Sequence, residues 1–122
     1  MTSYKGKIFS GIGVASERVS QNLDTYKDVS GIDLIPGTLN VRLSKDFEIP
    51  KNAKYIPPEK IKPLEKKRGV TLVPAKIKGE PVVIMVPEKP IYEANVIEIM
   101  ASFQIKVKFC LNDGDEIEIT TD

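Results

Sequence analysis

Gly37-Thr38-Leu39-Asn40-Val41-Arg42-Leu43 alternates between apolar and polar side chains. Successive side chains of an extended strand point to opposite faces, so Leu39, Val41 and Leu43 share one face while Thr38, Asn40 and Arg42 share the other. One face belongs to a core and the other is polar. Outward from this stretch, nine prolines and eight glycines break the chain into short segments rich in Val, Ile, Tyr, Phe and Thr. Strands are predicted at residues 3–9, 39–43, 70–77, 81–86, 96–100 and 116–120. Residues 82–86 are continuously apolar, as for a strand covered on both sides in the middle of a sheet. Asn112-Asp113-Gly114-Asp115 is a turn by composition, with Gly114 available for positive φ, and the strand after it is expected to close the sheet. The fold class is therefore mainly β, and six short strands suit a small barrel.

The chain has 122 residues, the length of a single domain over 1–122, and a chain of this size buries roughly two thirds of its unfolded surface. Lysine plus arginine (18) nearly balances aspartate plus glutamate (17), so net charge supplies no general attraction for a nucleic acid. Histidine is absent, which excludes serine-histidine and cysteine-histidine nucleophilic catalysis and the usual zinc sites. Any metal must be held by oxygen ligands, which favour magnesium, calcium or manganese. The single Cys110 cannot form an internal disulfide and reads as a buried small hydrophobe. The apolar run at 81–87 is far too short to span a bilayer, and the amino terminus carries no apolar signal stretch, so a cytoplasmic protein without a membrane partner is expected. Residues 51–68 carry seven basic side chains among three prolines with no helical or strand period, and read as a long surface loop that is either solvated or a lid.

Four groups of residues could carry chemistry. Ser10 to Ser16 follows the first strand, and its glycines allow backbone N–H groups to approach phosphate oxygens. It also reads as a plain turn, since no GK[ST] follows, Ala15 stands in place of a third glycine, and no clear helix succeeds it. Thr38 and Asn40 project a hydroxyl and an amide to one side of their strand, either as an ordinary polar face or as two neutral ligands for a magnesium ion that keeps its waters and substrate phosphates. Glu98 interrupts the apolar run Val96 to Met100; it is either an outward glutamate or a partly desolvated carboxylate able to accept a proton from a hydroxyl. Ser102 to Lys106 brings an aromatic ring, an amide and an ammonium together, with Phe103 as core or stacking platform and Lys106 as solvated or phosphate-directed charge.

The order of these groups resembles the archaeal CTP-dependent riboflavin kinases. The matching stretches are SGIG at 10–13, PGTLNVRL at 36–43, VVIMVPEKPIYEANVIEIMA at 82–101 and LNDGDEIEI at 111–119. The resemblance implies a six-stranded cradle-loop barrel with short helical segments that phosphorylates riboflavin to FMN. CTP is the implied co-substrate and one Mg2+ per site the implied cofactor. It also implies that Ile12, Gly13, Val14, Ala15, Ser16 and Glu17 line the nucleotide and that Thr38 and Asn40 bind the metal. Phe103, Gln104, Ile105 and Lys106 would complete the nucleotide pocket, and Glu98 would contact the flavin and act on its hydroxyl. Three departures stand out: Ala15 for a further glycine, Lys106 for an arginine, and Pro90 for a threonine that touches the flavin. Proline has neither hydroxyl nor backbone donor, so Tyr92 is the candidate replacement. The expected partners are riboflavin, FMN, CTP and CDP, with no nucleic acid, and the expected state is a monomer. The alternative is a non-catalytic β-barrel binding module, either DNA-binding or flavin-carrying.

Overall fold

The strand segments alternate because their buried side chains recur at every second residue. In β1 (Thr2–Phe9) Tyr4, Gly6 and Ile8 are buried, and in β2 (Leu39–Leu43) Leu39, Val41 and Leu43 are buried. The computed structural model describes residues 2–11, 19–64, 67–90 and 92–121. Further strands are β3 (Lys54–Ile56), β4 (Val70–Ile77), β5 (Glu80–Pro87), β6 (Val96–Met100) and β7 (Glu116–Thr121). All pairings are antiparallel, and the sheet order is β3-β4-β5-β6-β2-β1-β7. β7 pairs back onto β4 through Ala75↔Thr121 and Lys76↔Thr120, so six strands close into a barrel and β3 lies outside the ring on β4. The final strand thus closes the barrel, as its sequence position suggests. Closure leaves β4 and β7 with no open edge where they meet.

The barrel interior is filled by Ile8, Val41, Val73, Ile84, Ile99 and Ile119, among others, each almost wholly buried. A second apolar layer lies on the outer face of β4, β5 and β6, where Leu72, Val83, Met85 and Met100 are covered by Val19, Tyr26, Leu34, Ile56 and Ile61. β5 is therefore buried on both faces, which is why residues 82–86 show no alternation.

Among the described residues two α-helices are built on this frame. α1 (Leu23–Ser30) inserts Tyr26 into the second layer, and residues 19–21 just before it are also helical. A helix thus does follow the glycine stretch, contrary to the sequence reading. Its apolar stripe is thin, with Tyr26 buried and Leu23 and Val29 only partly so, and the period is hard to see. α2 (Ile105–Lys108) is a single turn that sinks Ile105 into the end of the barrel. Among the described residues no helix is long and apolar enough to cross a membrane.

The segment at 51–68 is not a free loop. It forms β3 and a 3-10 turn at Pro58–Lys60, and buries Ile56 and Ile61 in the second layer. The buried Asn22 amide fixes it further, donating to the Lys62 carbonyl at 2.9 Å and accepting from the Lys62 N–H at 2.8 Å. Two isoleucines among many solvent-facing lysines leave no period to read. Cys110 is likewise exposed and not a core residue: it follows α2 with φ 55, while its neighbours Phe109 and Leu111 pack on the barrel core.

Candidate active site at the junction of two clefts

Strand register assembles the site. Phe9 of β1 lies opposite Asn40 of β2, Asn40 opposite Glu98 of β6, and Glu98 opposite Met85 of β5. Facing residues of neighbouring antiparallel strands point to the same side, here the outside of the barrel, so an aromatic ring, an amide and a carboxylate form one cross-strand row. Glu98 is only 5% exposed beside Met85 and Met100. Its strand continues beneath the second apolar layer, so Glu98 faces out of the barrel but is desolvated rather than solvated.

Two clefts open on either side of this row. The first, about 340 Å³, is lined by Thr38, Leu39, Phe103, Gln104, Ile105 and Lys106 among others. The carbonyl of Ala101 accepts a bond from the Ile35 N–H at 3.0 Å and ties the chain before Thr38 to the chain before Phe103, so both walls are set by the ends of β2 and β6. Phe103 is both core and wall: it packs partly buried on the barrel core and meets Phe109 edge-on at 5.9 Å, with the Lys108 ammonium 4.4 Å from its ring centre. The second cleft, about 220 Å³, is lined by Phe47, Ile49, Met85, Pro90, Tyr92 and Glu98 among others. Its walls are mostly apolar and Ile49 remains half exposed at its mouth. Edge-to-face contact between Tyr92 and Phe9 at 5.5 Å, and an Arg42–Glu93 ion pair at 2.9 Å, brace the rim. The Arg42 guanidinium, by its hydrogen bond, holds the Glu93 carboxyl below the ordinary carboxylate range.

Gly11 allows a close approach to Asn40 and Tyr92. A Cβ placed there would collide with the Asn40 side-chain amide and lie 2.6 Å from the Tyr92 hydroxyl. Only the absence of a side chain lets the end of β1 touch both. The described start of the glycine stretch and the Asn40 strand therefore meet in space. Thr38 and Phe103 to Lys106 share the first cleft; Glu98, Pro90 and Tyr92 share the second; Asn40 follows Leu39 of the first and lies opposite Glu98 of the second. Ile12, Gly13, Val14, Ala15, Ser16 and Glu17 lie outside the described residues.

One carboxylate here was not singled out from sequence. Asp113 accepts hydrogen bonds from the Ser10 hydroxyl and, at 2.6 Å, from the Lys106 ammonium. Those bonds, Lys106 first, hold its pKa below the ordinary value. The turn that carries it is seated on β1 by two backbone bonds, Gly114 N–H to the Ile8 carbonyl at 2.7 Å and Ile8 N–H to the Asp115 carbonyl at 3.0 Å, with Gly114 at φ 92 as its composition suggests. Composition marked the turn; the partner 103 residues away could not be read from it.

Among the described residues there is no group of three or more His, Cys, Asp or Glu side chains that could cage a metal. Thr38 and Asn40 offer neutral oxygens beside an open cleft. That donor set fits magnesium, which keeps waters and takes substrate phosphates as ligands, and does not fit zinc.

Residues 8–121 match the CTP-dep_RFKase family, described as a domain of unknown function, DUF120. The chain is 36% identical over 121 residues to a riboflavin kinase of Methanocella arvoryzae, covering 95% of this chain and 55% of that protein. It is 33% identical over 119 residues to a riboflavin kinase of Staphylothermus marinus, covering 94% of this chain and 88% of that protein. A riboflavin kinase of Archaeoglobus fulgidus is 27% identical over 132 residues, with 94% of this chain and 52% of that protein covered. The chain thus spans about half the length of the first and third relatives and most of the second. With the match running from the end of β1 through β7, the chain belongs to the CTP-dependent riboflavin kinase family.

Proposed function

We propose that this chain transfers the γ-phosphate of CTP to the 5′-hydroxyl of riboflavin, giving FMN and CDP. The observation that carries this reading is the β2–β6 register: Asn40 follows Leu39, which lines the first cleft, and lies opposite Glu98, which lines the second. The cleft at Thr38 and Phe103 to Lys106, whose apolar walls carry a hydroxyl, an amide and an ammonium, suits a nucleotide, and the more strongly apolar cleft at Phe47, Ile49, Tyr92 and Glu98 suits a flavin ring with its ribityl chain. Family membership supports the same pair of substrates.

Phosphoryl transfer needs positioning and charge stabilisation more than covalent chemistry, which accords with a chain lacking histidine. Thr38 and Asn40 hold the magnesium ion, which when bound neutralises charge on the phosphate oxygens. Ile12 to Glu17 line the phosphates, Gln104 and the neighbouring main chain select the pyrimidine, and Lys106 supplies a positive charge. Glu98, buried at the head of the apolar cleft, accepts the hydrogen bond of the 5′-hydroxyl and takes its proton as the oxygen attacks. Tyr92 supplies the hydroxyl that Pro90 lacks. Residues 1–122 act as one domain, monomeric and cytoplasmic.

FMN formation from riboflavin and magnesium, measured with CTP, UTP, ATP and GTP in turn, tests the reading. CTP is expected to be the best donor; a clear preference for ATP, or no FMN with any of the four, contradicts it.

A further inference from the structure

The Asp113 carboxylate raises a question of sign. Negative charge beside a polyphosphate site repels the ligand, so this residue weakens nucleotide binding unless it does something else that outweighs the repulsion. Its contacts show what that is. Lys106 lines the first cleft, and its side chain is long, flexible and 41% exposed. A free lysine of that kind must be ordered when it meets a phosphate, and the lost rotamer freedom is subtracted from affinity. Asp113 holds the ammonium at 2.6 Å and with its other oxygen accepts from Ser10, the residue that leads into the glycine stretch. The turn beneath it is pinned to β1 through Ile8. Two chain segments far apart in sequence, at residue 10 and at residues 106–113, are thus joined through one carboxylate.

We propose that Asp113 is a positioning residue of the nucleotide cleft: it fixes the Lys106 ammonium on the cleft wall and ties it to the Ser10 hydroxyl, so that the lysine stands ready before the polyphosphate arrives. The inference rests on the reading of the first cleft as the nucleotide site. Asp113 touches no substrate; it acts through Lys106 and Ser10. An ammonium is a point charge without the rigid fork of a guanidinium, so Lys106 needs an external orienter.

The test is steady-state kinetics of the full chain carrying Asp113→Asn, with ligand-free melting and CDP binding by calorimetry measured alongside. The expected result is a rise of about tenfold in the KM for CTP and in the CDP dissociation constant, equivalent to ~1.4 kcal/mol, with kcat and the KM for riboflavin within about twofold. The same substitution in a Lys106→Met background should add less than about twofold, because its effect passes through that side chain. An unchanged or lowered KM for CTP overturns the proposal, the latter showing that Asp113 sequesters Lys106. An equal effect in the Lys106→Met background also overturns it. Should Asp113→Asn melt well below the wild type, Asp113→Ser, equally suited to a turn, carries the same comparison. Wild-type protein that makes no FMN from CTP and binds no CDP defeats the functional reading itself, whereas active wild type with an indifferent Asp113 defeats only this inference.

Discussion

Gly11 and Asn40 show how much a single side chain, or its absence, decides here. Gly11→Ala would drive a methyl group into the Asn40 amide and the Tyr92 hydroxyl, so one of them must move. A displacement of about 1 Å at a reacting centre can lower turnover by roughly a hundredfold. We expect a loss of that order in kcat with a nearly unchanged melting temperature, and a fully active Gly11→Ala would show that the junction is not where transfer occurs. Asn40→Ala tests the same place without steric pressure. It should lower turnover by about 10²-fold or more, in the range found when one stabilising group is removed from a transition state, while circular dichroism stays that of the wild type; unchanged activity would remove the proposed metal role. Asp113 gives the pH dependence. Its folded-state pKa is depressed, so its contribution to stability is present above the unfolded value of about 3.9 and is lost as pH falls through the lower folded value. The melting gap between wild type and Asp113→Asn should therefore exist at neutral pH and close in strong acid. A gap that is constant with pH would contradict this. Both partners are nearly half exposed, so the gap is small and shrinks with added salt. The spacing that puts Thr38 and Asn40 on one polar face was legible, but their proposed role as ligands came only with the family resemblance. The bond from Ser10 to Asp113 was not, because hydrogen-bond partners 103 residues apart leave no local pattern.

At the scale of elements, legibility followed the strength of the local period. All six barrel strands are apparent in sequence to within a residue or so at most ends, since each presents at least two buried branched or aromatic side chains to the interior. β3 and the 3-10 turn were missed because only Ile56 and Ile61 enter the second layer, and the clustered lysines around them match a solvated loop equally well. What holds that segment is Asn22, through two hydrogen bonds to the Lys62 backbone. Asn22→Ala would leave a partly buried N–H and carbonyl without that amide, at a cost of about 2–3 kcal/mol. Chemical denaturation should register this as a lower midpoint, and earlier proteolysis within residues 51–68 should accompany it. A variant with the wild-type midpoint would show that the two isoleucines alone anchor the segment.

At the scale of the whole molecule, a six-stranded ring closed by β4 and β7 serves as the rigid support, with the clefts at the strand ends and on the outer face. Ile84 sits at its centre with no exposed surface. Truncation to alanine should destabilise the protein by about 2–5 kcal/mol, read as a fall in the urea midpoint with little change in its slope, while the nucleotide preference of whatever protein remains folded is retained. Altered preference would mean that core packing reaches the clefts. Barrel architecture was legible because strand number and closure are set by apolar spacing. The assignment of two substrates to two clefts was not legible from spacing, and depends on the β1-β2-β6 register that brings Phe9, Asn40 and Glu98 into one row. A crystal structure of the chain with CDP, magnesium and FMN bound together tests this assignment most directly. The account predicts CDP against Thr38 and Phe103 to Lys106, the flavin ring against Phe47, Ile49 and Tyr92, and the phosphates of the two ligands facing one another at Asn40; ligands that share one cleft, or phosphates that point away from Asn40, would contradict it.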